Sequence, residues 1–156
     1  MTTLVLHAHA LATLAMLGLI WFVQIVHYPL FARVGESGFA AYEAAHQRRT
    51  TLIVAPLMLT ELATAAAIAL APLAAPGSAI ARVPLPLGLA GLALVLLAWA
   101  STALVQVPLH RALGTGFDAP RAARLVRSNW VRTAIWTARA PIALVMLAPS
   151  GMPSGG

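Results

Sequence analysis

The chain has 156 residues, of which 60% are hydrophobic and only 9% charged, with ten basic side chains against four acidic ones. A soluble domain of this length cannot hide so much apolar surface, which points to a membrane protein. With no cysteine in the sequence, disulfides, thiolate metal sites and a cysteine nucleophile are excluded.

The first apolar run, Leu4 to Ala32, is predicted to be a retained transmembrane helix. No basic residue precedes it, and it exceeds the roughly 7 to 15 residues of a signal-peptide core. His7 and His9 are two residues apart, on nearly opposite faces, and are expected to mark the outer boundary. Gln24, His27 and Pro29-Leu30-Phe31 close the span. In the connection that follows, Phe39, Tyr42 and His46 recur at three- and four-residue steps, which predicts a short amphipathic helix lying in the interface plane.

Arg48 and Arg49 precede a second apolar run, Thr51 to Ala81, that contains only one acidic residue, Glu61. Ala63, Ala67 and Ala71 read as a small-residue ridge for helix packing. An outer turn rich in Pro, Gly and Ser leads to the third run, Val83 to His110, where Gly88 and Gly91 offer a second smooth patch. Gln106, Pro108 and His110 end it. Asp118-Ala-Pro120 then reads as an N-cap with proline in the first turn, opening another interfacial helix. The fourth run, Thr133 to Pro149, contains only Arg139, and Asn129, Arg132, Trp136 and Arg139 share one helical face. Kinks are expected at Pro29, Pro56, Pro108 and Pro141.

The predicted fold is therefore all-α, an integral membrane four-helix bundle of two similar hairpins with short interfacial helices on the cytoplasmic side. One transmembrane domain covers 1–148, with spans at about 4–31, 50–72, 85–110 and 130–148, followed by a disordered tail over 149–156. Arg33, Arg48, Arg49, Arg111, Arg121, Arg124, Arg127 and Arg132 flank one set of span ends, against Arg82 on the other. That imbalance places both arginine-rich loops in the cytoplasm and both termini outside. Contact with anionic lipid headgroups accounts for these arginines better than nucleic acid does.

Two halves echo one another. Gln24-Ile-Val-His27-Tyr-Pro29-Leu30 resembles Gln106-Val-Pro108-Leu109-His110, and His46-Gln-Arg-Arg49-Thr50 resembles Asn129-Trp-Val-Arg132-Thr133. Parallel repeats of this kind build sites where the halves meet. Within the spans, Glu61 and Arg139 are expected to pair, directly or through Gln24 or Gln106, or else Glu61 serves as a proton acceptor. His27, His46 and His110 all fall at the same membrane level, either as a shared acid-base or ligand site or as separate interfacial imidazoles. No local ligand spacing suggests a metal, and no cofactor is identified. Arg49, Asn129, Arg132, Trp136, Arg139, Gln24 and Gln106 are the candidate substrate-binding residues, with His46, His27, His110 and Glu61 as catalytic candidates.

The Pro29-Leu30-Phe31 ending, Tyr42 with His46 and Arg49, Val107-Pro108-Leu109-His110, and Asn129-Trp130 together resemble the small four-helix bacterial membrane proteins related to the anthrone-oxygenase-like family. That resemblance implies a bacterial inner-membrane location and an embedded pocket for a lipophilic, aromatic substrate with oxygen chemistry. His110 stands where the family often has asparagine. Three functions stay open on the residues: a membrane enzyme or redox protein acting on a lipophilic molecule, a non-catalytic module binding a lipid, ligand or partner, and a small transporter working as a homodimer.

Overall fold

The computed structural model describes residues 2–148, and all regular elements among them are helical. The expected disordered tail, 149–156, lies outside the described residues. Four helical rods run alternately up and down. The first is α1 (Thr2–Phe22), a π-helical turn (Val23–His27) and a 3-10 turn (Pro29–Arg33). The second is α2 (Glu36–Ala74), and the third is α3 (Leu85–Ser101), a π-helical turn (Thr102–Gln106) and α4 (Val107–Leu113). The fourth is α5 (Ala119–Leu147). Each rod packs against two others, α1 against α2 and α5, and α3 against the same two.

Three of the rods, Thr3–Arg33, Glu36–Ala74 and Leu85–Leu113, are long and apolar enough to cross a membrane. The fourth is long enough but carries five arginines, Arg121, Arg124, Arg127, Arg132 and Arg139. Burial separates them: the first three are exposed, whereas Arg132 and Arg139 are turned into the bundle. From Trp130 to Ala148 the exposed positions of α5, among them Val131, Leu144 and Val145, include no charged residue.

Helix ends follow from local chemistry. Asp118 caps α5, its carboxylate accepting from the Arg121 N–H at 2.8 Å, with Pro120 in the first turn as expected. Gly35 turns the chain between the first two rods at φ +85°, a conformation that side chains with a Cβ resist. Rods one and three share a device the sequence suggested only as kinks. The residue before each proline reaches back five residues, Tyr28 N–H to Val23 O and Val107 N–H to Thr102 O. Proline cannot donate, and its ring crowds the carbonyl four residues earlier. A widened π turn relieves both problems. Pro56 and Pro141, by contrast, lie within α2 and α5 without a break in the helix.

Several expectations are corrected. The two predicted interfacial helices are not separate elements: residues 36–46 and 119–127 are the first turns of α2 and α5, because Phe39 and Leu125 are fully buried and anchor those turns to the bundle. The ridge of Ala63, Ala67 and Ala71 is also displaced. Ala63 and Ala67 are exposed, and the close approach is made by Ala69, whose Cα would lie 3.4 Å from a Cβ at Gly88. His9 is no boundary residue. It is buried, with Nδ1 2.8 Å from Thr64 Oγ1, while His7 alone is exposed.

Apolar layers alternate with polar ones along the bundle. Phe31, Phe39, Leu113 and Leu125 close one end; Met16, Met58, Ala98 and Trp136 fill the middle; Ile68, Val83 and Met146 close the other end. Between them are sandwiched nearly all the interior polar side chains. Outside, leucines such as Leu52, Leu73, Leu96, Leu97 and Leu104 are exposed on rods two and three. Exposed apolar surface of this extent marks an interaction face.

Candidate functional site

The two π turns aim Gln24 and His27 from rod one, and Thr102 and Gln106 from rod three, toward the bundle end where α2 and α5 begin. Four steps along α2 add Glu43, His46, Gln47 and Thr50. The result is a connected polar cluster. His27 Nε2 and His46 Nδ1 are 2.8 Å apart, with Thr50 Oγ1 3.1 Å from the same Nδ1. The His46 and His110 rings lie 5.1 Å apart between centroids. His110 Nδ1 stands 2.6 Å from Glu43 Oε1 and its Nε2 2.8 Å from the Tyr28 hydroxyl. With Glu43 ionised, His110 donates from Nδ1 and accepts the Tyr28 proton at Nε2. Gln47 donates to both Glu43 Oε1 and the His110 carbonyl, at 3.1 Å each.

A second network lies behind the first. Gln24 Oε1 accepts from Asn129 Nδ2 at 2.9 Å, and Asn129 Oδ1 accepts from Arg132 Nη1 at 3.1 Å. The Arg132 guanidinium is stacked 5.2 Å from the Trp136 ring centre. Gln106 bonds Ser101 and Ser128 rather than any ionised group. Deeper still, Glu61 and Arg139 form a direct ion pair. Both Glu61 oxygens also accept from Trp136 Nε1, at 3.1 Å each. No glutamine bridges this pair, contrary to one of the sequence alternatives, because Gln24 and Gln106 are committed elsewhere.

Between α2 and the third rod lies a cavity of about 320 Å³. His46, His110 and Tyr28 form its polar end, Val54, Met58 and Trp99 its apolar wall, and Arg132 and Gln106 also line it. It opens beside Thr51 and Val107, both exposed on the outer surface of the bundle. Arg49 does not reach it. That side chain is exposed and borders a separate depression with His27 and Tyr42.

The structure thus brings His27, His46 and His110 together and puts Arg132 and Gln106 at the cavity, with Gln24, Asn129 and Trp136 one contact behind. Glu61 and Arg139 form a separate pair. Sequence reasoning missed Glu43, Tyr28 and Trp99. Glu43 was readable in part, since it continues the Phe39, Tyr42, His46 face at a four-residue step.

Hydrogen-bond accounting shows what the cavity lacks. Trp99 Nε1 and Arg132 Nε are buried donors without an acceptor, and both side chains line the cavity. Among the described residues no carboxylate pairs with Arg132. An unpartnered buried donor is costly, and an unpaired buried cation more so. Comparison of the chain with protein-family models, curated proteins and solved structures gives no match. The anthrone-oxygenase-like resemblance therefore rests on its motif residues alone.

Proposed function

We propose that this is a four-span membrane protein that takes a lipophilic molecule bearing an anionic oxygen, a carboxylate or phenolate, into the cavity between α2 and the third rod. The observation that carries this reading is that two side chains lining the cavity, Trp99 and Arg132, each hold a buried donor, Nε1 and Nε, with no acceptor among the described residues. An oxyanion held there compensates the buried guanidinium, and a small turn of either side chain offers it a donor now without an acceptor. The apolar wall of Val54 and Met58 receives the tail or ring, and a volume of about 320 Å³ suits one ring system or part of a single chain. His46, His110 and Tyr28 then flank the polar end of the ligand. That placement favours a membrane enzyme acting on this end over a passive binder.

The fourth span is part of the proposal. Its support is the uncharged exposed face of α5 beyond Trp130, with Arg132 and Arg139 spent inside the bundle. Seven of the other eight arginines gather at the ends of rods one and three and the starts of two and four, against Arg82 at the opposite end, which supports a cytoplasmic position for the first end and the cavity mouth near it. Both termini then lie outside. Ligand enters laterally from the bilayer beside Thr51 and Val107.

Quenching of tryptophan fluorescence tests the reading in vesicles. In a Trp21→Phe, Trp130→Phe protein the exposed indoles are gone, leaving Trp99 and the fully buried Trp136. A brominated long-chain carboxylate is expected to quench saturably, its methyl ester at least tenfold more weakly, and brominated phosphatidylcholine without saturation. Equal quenching by acid and ester removes the role given to Arg132. Saturable quenching by a brominated anionic phospholipid alone reassigns the oxyanion to a lipid phosphate.

A further inference from the structure

Glu43 is one of only four acidic residues in the chain, and it is fully buried. Its Oε1 is occupied by His110 and Gln47, but Oε2 is buried with no partner among the described residues. A carboxylate oxygen in that position loses its water and gains nothing in return, a cost proteins do not carry without cause. Around it stand two imidazoles. Donor atoms of Glu43, His46 and His110 all lie within 4.8 Å of one another.

The surroundings orient these rings as a metal site requires. His46 Nδ1 is engaged by His27 Nε2 and Thr50 Oγ1, at 2.8 and 3.1 Å, which leaves its Nε2 as the free donor. His110 is held through Nε2 by the Tyr28 hydroxyl at 2.8 Å, which directs Nδ1 at Glu43. Ligating histidines characteristically have the other ring nitrogen fixed by an outer partner in this way. Local spacing in the sequence could not reveal the set, because His110 joins from a different rod, 67 residues beyond Glu43.

We propose that Glu43, His46 and His110 bind one divalent transition-metal ion of the zinc or ferrous class. Two imidazoles and one carboxylate, with no thiolate in the chain, match the donor set of catalytic zinc and non-haem iron(II) sites. Donors about a metal at bonds of roughly 2.0 to 2.2 Å stand about 3 to 4 Å apart. The three donors, now within 4.8 Å of one another, would close in to that spacing by side-chain adjustment. When a metal takes His110 Nδ1, the imidazole proton moves to Nε2, which then donates to the Tyr28 hydroxyl oxygen, while Glu43 Oε2 gains its missing partner. His46 and His110 also line the cavity, so a metal held by them would lie beside whatever occupies it.

The test uses tag-free protein in lipid nanodiscs, stripped with chelator and titrated with cobalt(II) and then zinc(II), each alone. One equivalent of cobalt is expected, with visible d–d bands of a four- or five-coordinate ion that zinc abolishes. Glu43→Gln and His46→Gln should each weaken cobalt binding at least a hundredfold, His27→Ala about tenfold, and His7→Ala not at all. Folding of each variant is checked by its helical circular dichroism. If folded wild-type protein binds no stoichiometric cobalt or zinc, or if folded Glu43→Gln binds as the wild type does, the inference is overturned. Arg132→Met separates this inference from the ligand reading: cobalt binding should persist there although carboxylate binding is weakened at least tenfold.

Discussion

Replacing Glu61 by glutamine is expected to lower the unfolding free energy by about 3 to 5 kcal/mol, the loss typical of breaking one side of a buried ion pair. Glutamine keeps an oxygen for Trp136 Nε1, so the change isolates the charge. What it leaves behind is Arg139, buried, always ionised, with only Thr13 Oγ1 at 3.4 Å as another partner and its Nε already unpartnered. Removing the arginine as well, in Glu61→Gln with Arg139→Met, should restore at least half of the loss, because the unpaired charge disappears. Reversible unfolding by sodium dodecyl sulfate in mixed micelles measures both. Additive losses in the double variant contradict the pairing account.

Arg132→Met has the opposite profile. Methionine roughly preserves the apolar stem against Trp136, while the charge that has no carboxylate partner is gone. The ligand-free protein should therefore be about as stable as wild type or more so, since the cost of burying a cation without a carboxylate offsets its bond to Asn129 and its stacking on Trp136. Affinity for a long-chain carboxylate, read by Trp99 quenching, should fall about 10- to 100-fold. That corresponds to the roughly 1.5 to 3 kcal/mol of a charge-assisted hydrogen bond. A gain in stability coupled to a loss of binding marks a residue kept for its ligand. A variant that unfolds readily while binding normally would show Arg132 to be structural.

Much of this arrangement was legible in the residues. Charge-free runs of about 20 residues demand helices, and the inward stripe of Asn129, Arg132, Trp136 and Arg139 follows from helical spacing. The pairing of Glu61 with Arg139 was readable because a bilayer interior leaves so few alternatives for either group. Other features depend on contacts between rods that spacing does not encode. Glu43 looked like one more polar residue on an amphipathic helix. Only the approach of His110 from the third rod makes its burial tolerable. His9 illustrates the same limit: near a helix end it reads as interfacial, yet Thr64 of α2 accommodates it in the core. The π turns were signalled by Pro29 and Pro108, but the prolines alone do not distinguish a kink from a widened turn. It is the widened turn that carries Gln24, His27, Thr102 and Gln106 to one site. Similarly, of the alanines read at four-residue steps on α2 only Ala71 is buried; Ala65 and Ala69 take the inner face in place of Ala63 and Ala67, and Ala69 meets Gly88.

The most direct test of the cavity as a ligand site is photo-crosslinking of the protein in vesicles with a diazirine-bearing long-chain carboxylate, followed by peptide mapping. Label should concentrate on the wall residues Val54, Met58 and Trp99, be competed away by unmodified carboxylate, and fall at least tenfold in Arg132→Met at low probe concentration. Label spread over outward leucines such as Leu73, Leu96 and Leu97, unchanged by the substitution, would contradict the account.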